Sequence, residues 1–335
     1  MMCAILYTYG SIGSLGDVNI GIFSFAFPAL FVISGYVVLR ESPNIEKRIL
    51  RTIGRTALCF VILFALYLGL SFFVAKEATV ALITSKTFWV DFLLLNICSL
   101  PIGSAIWFVQ SLLYAYIIIY IIYKLKLLRL DIFIAVICLV VTLLTGEFAS
   151  FVGFRFLGHA YLGGNFLTRA LPYILIGCFI SRKEMFFSNF DVRHYFLLIV
   201  AGVFLSVLEW YVLMATKKYL YVGHIFGMGI VAVGICLFTF LMVGMEIQSN
   251  VLGALSRYEL MIPYFVCSPV YYFLNMLFAA NPELGSLIDN FAGILTLIIS
   301  FALLYVYILL HDMVMEIIGL MNNSFRHKSA KHRRK

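Results

Sequence analysis

Three arginines in the segment EKRILRTIGR have the spacing needed to bind a polyphosphate. Arg48, Arg51 and Arg55 lie three and four residues apart, and on a helix this spacing places them along one face. Guanidinium groups form bidentate, charge-assisted hydrogen bonds with phosphate oxygens. The same charges also suit ordinary anchoring of a membrane helix at the headgroups. The spacing is compatible with both interpretations.

A second candidate is the pair Glu209 and His224, which could act as a catalytic base. Glu209 lies inside the apolar run SVLEWYVL, and His224 begins the next apolar run. Ionisable groups inside apolar spans are costly and often functional, and a carboxylate can orient an imidazole and raise its basicity. The alternative is that Glu209 pairs with a distant cation while His224 lies at the lipid boundary.

Other chemistry has no support in the sequence. The seven cysteines are scattered, without a CxxC or a Cys/His cluster, so we expect neither a metal site nor a disulfide. Walker, GxSxG and HExxH motifs are absent, which removes support for ATP-driven transport and serine hydrolysis. We expect no bound cofactor. We also expect no nucleic-acid partner, because the positive residues behind the net charge of +8 lie in short loops and in the tail RHKSAKHRRK, where they suit anchoring to an anionic membrane surface.

The elements that must position these residues are membrane helices. Of the 335 residues, 63% are hydrophobic and 12% are charged, and repeated continuous apolar runs predict helices embedded in lipid. We therefore predict an all-α, polytopic integral membrane protein with about ten spans. The first stretch is too short to cross alone and is either a half-span or a shortened helix. The predicted limits are 1–9, 20–39, 55–75, 105–124, 130–146, 166–181, 195–214, 223–244, 258–278 and 289–312.

The distribution of positive charge predicts the orientation. With both termini in the cytoplasm, 18 of the 24 Lys and Arg residues lie on the inner side, as the positive-inside rule requires. Residues 87–100 are apolar but short, and Asp91 and Asn96 interrupt them, so we expect an interfacial or re-entrant segment on the outer side. Trp107 opens the fourth span and suits a headgroup anchor, with sugar stacking as the alternative.

Five segments, taken together and in order, resemble the membrane acyltransferase-3 family, which includes O-acetyltransferases of bacterial surface polysaccharides. FPALFVISGYVVL is similar to the family's FF-x-x-SGY signature, and EKRILRTIGR to its arginine-rich helix. AIWFVQSLLYAYII resembles the LWF element, NFLTRALPYILIGCFI the LPYFLLG element, and LSRYELMIPYFVCSPVYYFL a later element that usually contains histidine. The resemblance extends over nearly the whole chain.

The resemblance implies a donor, usually acetyl-CoA or another acyl-CoA, and an acceptor hydroxyl on a surface glycan or its lipid-linked precursor. Arg48, Arg51 and Arg55 would hold the donor's phosphates. Ser34 and Gly35 would line the end of the second span, and Trp107 would lie beside the donor channel. The expected location is a bacterial-type inner membrane, with residues 1–320 as the acyltransferase-like domain and 321–335 as a basic cytoplasmic tail.

The chain departs from the family pattern at three histidines. The first span, AILYTYGS, has Tyr7 or Thr8 where the family's proposed base lies, and Ala105 and Cys267 replace two further histidines. Glu209 with His224 then supplies the base, or the chain has lost or changed the activity. The alternative function is a transporter or export partner for a polysaccharide or lipid-linked sugar.

Overall fold

The described part of the protein, a computed structural model, is helical throughout and contains no strand. It comprises residues 5, 8, 25–39, 44–103, 105–145, 165–215, 235, 262–279, 291–307, 309–310 and 313. The helices are α1 Ala26–Leu39, α2 Ile45–Val74, α3 Lys76–Thr84, α4 Lys86–Val90, α5 Ile106–Lys124, α6 Asp131–Thr145, α7 Phe166–Arg169, α8 Leu171–Arg182, α9 Glu184–Ser188, α10 Val192–Ala215, α11 Ile262–Ala279 and α12 Ala292–Tyr307.

Helix α2 joins the arginine segment directly to a membrane span. It runs unbroken for 30 residues, Ile45–Val74, a length of about 45 Å. The hydrocarbon core of a bilayer is only about 30 Å thick. The apolar run occupies the later part of the helix, so its first turns, with Arg48, Arg51 and Arg55, extend beyond the apolar region. The predicted span 55–75 is therefore the second part of a longer helix.

Helices α1 and α8 pack with their backbones in close contact. A Cβ atom added at Gly35 would lie 2.9 Å from the Cα of Ile174, and one added at Gly177 would lie 2.8 Å from the backbone nitrogen of Tyr36. Cys178 Sγ also lies 3.5 Å from the carbonyl oxygen of Gly35. In lipid the hydrophobic effect does not drive helices to associate, so close van der Waals contacts at small residues contribute much of the packing between membrane helices.

The segment after α2 is bent, and its second part overlaps residues 87–100, for which the interfacial or re-entrant placement stays a prediction. Helix α3 is followed by α4 and a π-helical turn, Asp91–Leu95, with a bend of 73° between the two parts. Asn96 ends the turn with φ of 61°. Side chains from neighbouring helices cap the freed carbonyls: Gln110 Nε2 donates to Phe92, the Tyr114 hydroxyl to Leu93, and Asn165 Nδ2 to Leu94.

The predicted spans agree with most of the described helices. Within the described residues, α2 and α5 are long and apolar enough to cross a membrane, and the bent pair α3 with α4 makes a third if it is one span. The predicted span 166–181 is divided at Ala170, because Pro172 opens α8 in its first turn. Most of the predicted spans 1–9 and 223–244 lies outside the described residues. The total of about ten spans stays a prediction.

Candidate functional site

Three polar contacts bring the ends of six helices to one side of the bundle. The Tyr36 hydroxyl donates to Glu184 Oε1 over 2.7 Å. Lys124 Nζ lies 2.6 Å from Glu46 Oε1, and Arg182 forms an ion pair with Asp131. These contacts join the end of α1 to the start of α9, the start of α2 to the end of α5, and the start of α6 to the end of α8. We call this side, defined by those six residues, the basic end.

The arginine stripe, Arg48, Arg51 and Arg55, lies on the side of α2 that faces away from α5. Glu46 and Phe64 share the opposite side, because successive residues of a helix are rotated by about 100°. Glu46 pairs with Lys124 of α5, and Phe64 stacks on Phe92 with centroids 5.0 Å apart. Arg51 and Arg55 are exposed and Arg48 is half-buried. The predicted alignment on one face agrees with the helix, and two of the three guanidiniums are open to a ligand or to headgroups.

Ser34 and Gly35 lie one to two residues before Tyr36, inside the packed part of α1. The Ser34 hydroxyl donates to the Leu30 carbonyl over 2.8 Å, and a side-chain hydrogen bond joins Tyr116 of α5 to Ser34. Gly35 is buried against the backbone of Ile174. The structure explains the Ser-Gly-Tyr order in part through packing, because each residue contacts a different neighbouring helix or turn.

Trp107 lies far from the arginine stripe. It is the second residue of α5, and Lys124, at the basic end, is the last, so about 25 Å of helix separate them. Its ring is 4.9 Å from that of Phe27 by centroid, and the Arg169 guanidinium carbon lies 5.8 Å from its centroid. The structure therefore gathers Trp107 with an aromatic cluster and Arg169. It does not bring Trp107 together with Arg48, Arg51 and Arg55.

The candidate base is described only in part. Glu209 lies within α10 and is half-buried. His224 lies outside the described residues, so the expected pairing of the two side chains stays a prediction. Within the described ranges, no group of three or more His, Cys, Asp or Glu side chains is arranged to hold a metal ion.

Sequence reasoning missed the acidic residues of the basic end. Glu46, Asp131 and Glu184 each lie in the first turn of a helix, where a negative charge is favoured by the helix dipole. That position is a signal, but it does not identify the partner. Tyr36 and Glu184 are 148 residues apart in the chain, and nothing in the local sequence indicates that they meet.

The apolar helices and the basic end together define a helical protein of the membrane-embedded class. The family model for the acyltransferase domain of the acyltransferase-3 family matches residues 3–309, and the chain belongs to that family. The family identification from the five motifs is thereby confirmed. No curated protein and no solved structure matches the chain.

Proposed function

We propose that the protein is a membrane-bound O-acyltransferase that moves an acyl group, in particular acetyl, from acyl-CoA to a glycan hydroxyl. The acceptor is a cell-surface polysaccharide or its lipid-linked precursor. The observation that carries the proposal is the arginine stripe of a family member, held beyond the apolar part of α2 with Arg51 and Arg55 exposed. Two guanidiniums in this position suit the phosphates of a water-soluble donor.

The proposed reaction needs a base and no bound cofactor or metal. The base takes the proton of the acceptor hydroxyl, the oxygen attacks the thioester carbonyl, and the carbon–sulfur bond breaks so that CoA leaves as the thiol after taking up a proton. Glu209 with His224 is the proposed base. Ser34, Gly35 and Trp107 are the further proposed donor contacts.

The proposal includes an arrangement in the membrane. The basic end faces the cytoplasm, where acyl-CoA is made, and about ten spans place both termini on that side of a bacterial-type inner membrane. The positive-inside rule supports this orientation, because the helix ends joined at the basic end hold many of the Lys and Arg residues assigned to the inner side. Residues 321–335 form the basic tail of the domain 1–320 in this proposal.

The first experiment measures transfer of labelled acetyl from acetyl-CoA to glycan in membranes that contain the protein. The variant Arg51→Ala plus Arg55→Ala should lower kcat/KM for acetyl-CoA by at least about 100-fold, since each charge-assisted hydrogen bond contributes about 1.5–3 kcal/mol. Both side chains are exposed, so the protein should still fold.

The matched control is Lys126→Ala plus Arg129→Ala. These two cations are also exposed and follow α5 at the basic end, but neither lies on the arginine stripe, so transfer should change less than about twofold. An equal loss of transfer in both double variants would show that the stripe acts only through its general positive charge and does not bind the donor specifically. Glycan export that fails on gene deletion while acetyl esters remain would support the transporter alternative.

A further inference from the structure

The hydrogen bond between Tyr36 and Glu184 lies directly beside the proposed donor residues. The Tyr36 hydroxyl donates to Glu184 Oε1 over 2.7 Å, a charge-assisted bond of the stronger kind. Tyr36 follows Ser34 and Gly35 on α1, and its residue is 6% exposed. Glu184 is the first residue of α9, and only Lys183 separates it from the end of α8 at Arg182. The bond therefore links the last turn of α1 to the turn between α8 and α9.

Helix α8 is a fixed support for this bond. Its backbone touches that of α1 at Gly35 and Gly177. Its last turn is tied to α6 by the ion pair of Arg182 with Asp131, whose carboxylate side chain is 0% exposed. Glu184 follows α8 after Lys183, so its backbone position is set by the contacts that hold α8. Its side chain can therefore fix the direction in which α1 ends.

The end of α1 determines where α2 begins. Leu39 is the last residue of α1 and Ile45 the first of α2, so only five residues separate the two helices. The start of α2 is held on its other side by the pair Glu46 and Lys124. The hydrogen bond of Tyr36 therefore helps to fix the end of α1, and with it the position at which α2 and its arginine stripe begin.

We infer that Glu184 is a positioning residue for the acyl donor: its hydrogen bond to Tyr36 holds the end of α1, and through the short link to α2 it keeps the arginine stripe in place for the donor's phosphates. The inference rests on the proposed function. Loss of the bond disorders the donor site without removing any group that touches the donor, so it should raise KM for acetyl-CoA and leave kcat nearly unchanged.

The test compares Glu184→Ala, Glu184→Gln and Tyr36→Phe in reconstituted vesicles, with acetyl transfer and direct CoA binding as the two measurements. Glu184→Ala and Tyr36→Phe should each raise KM and the Kd for CoA by about tenfold, which corresponds to about 1.4 kcal/mol. Glu184→Gln keeps an acceptor oxygen and should lose less than about threefold. The double variant Tyr36→Phe plus Glu184→Ala should be no worse than either single variant, because both remove the same bond.

The matched control is Asp191→Ala. This carboxylate lies in the turn after α9, where it accepts a hydrogen bond from the backbone N–H of Arg193 over 3.2 Å and lies 4.0 Å from that residue's guanidinium. Both contacts are local to the start of α10, so its removal should not change KM. An unchanged KM in Glu184→Ala, a loss confined to kcat, or additive losses in the double variant would overturn the positioning role while the wild type still transfers acetyl. A wild type that neither transfers acetyl nor binds CoA would overturn the proposed function as well.

Discussion

The ion pair between Asp131 and Arg182 predicts unequal effects when either member is removed. The Asp131 side chain is 0% exposed, whereas that of Arg182 is 30% exposed. Arg182→Ala leaves a buried carboxylate without its partner and should lower the free energy of unfolding by about 3 kcal/mol. Asp131→Asn leaves a guanidinium that still reaches water, and should cost about 1 kcal/mol. Denaturant titration in mixed micelles measures both.

The double variant Asp131→Asn plus Arg182→Ala distinguishes this explanation from simple loss of packing. If the unpaired carboxylate causes most of the damage, the double variant is more stable than Arg182→Ala alone. A double variant that is less stable by the sum of both single effects would show that the two side chains act independently.

Sequence reasoning at the scale of residues identified charge and spacing but not partners. The arginine stripe follows from a spacing of three and four residues, and the structure confirms that the three side chains share one side of α2. Gly35 was assigned to the donor site from a motif, yet its close contact with Ile174 requires knowledge of a helix about 140 residues further along. Such contacts depend on tertiary packing, which no local pattern encodes.

At the scale of elements, the contact between α1 and α8 predicts that an added methyl group is harmful at the two glycines where their backbones meet. Gly35→Ala and Gly177→Ala each place a Cβ against opposing backbone, and should lower the free energy of unfolding by about 1–3 kcal/mol through overpacking. The control is Gly69→Ala on α2, where nothing lies within 4 Å of the added atom. That change should be neutral or should stabilise the helix by up to about 1 kcal/mol. Equal effects at all three positions would contradict the close contact.

The bent segment α3–α4 predicts a local effect when its caps are removed. Tyr114→Phe removes the hydroxyl that bonds the Leu93 carbonyl, at a cost of about 0.5–1.5 kcal/mol. Hydrogen exchange should become faster in residues 91–97 and stay unchanged in α8. The control is Tyr123→Phe on the same helix, whose hydroxyl has no hydrogen-bond partner among the described residues. Faster exchange throughout the protein in Tyr114→Phe would contradict a local capping role.

The sequence predicted helices whose limits depend on the length of an apolar run. It did not predict helix limits that depend on a turn or on charged residues outside the apolar run. The predicted spans 105–124 and 130–146 agree closely with α5 and α6, because long continuous apolar runs have few alternatives in lipid. The start of α2 was predicted too late, since charged residues in the first turns lie outside the membrane yet remain helical. The π-turn at Asp91–Leu95 depends on caps from α5 and Asn165, and hence on tertiary structure.

The whole molecule has two ends of different character, and the proposed orientation assigns one to each side of the membrane. Lys47 and Lys183 lie at the basic end. Lys76 follows the other end of α2, about 45 Å of helix from Ile45, and Lys86 opens α4 beyond the short helix α3. All four side chains are exposed. Replacing each singly by cysteine, in a background without the seven native cysteines, makes each position accessible to a thiol reagent.

In intact cells, a membrane-impermeant maleimide should label Lys76→Cys and Lys86→Cys and leave Lys47→Cys and Lys183→Cys unmodified until the cells are opened. This pattern is expected from the proposed orientation, in which the basic end faces the cytoplasm as the positive-inside rule favours. The reverse pattern would place the arginine stripe outside, away from acyl-CoA, and would contradict the proposed donor while leaving the fold intact. Different labelling of Lys47→Cys and Lys183→Cys would instead contradict the fold itself, because the bonds from Tyr36 to Glu184 and from Glu46 to Lys124 require those helix ends on one side.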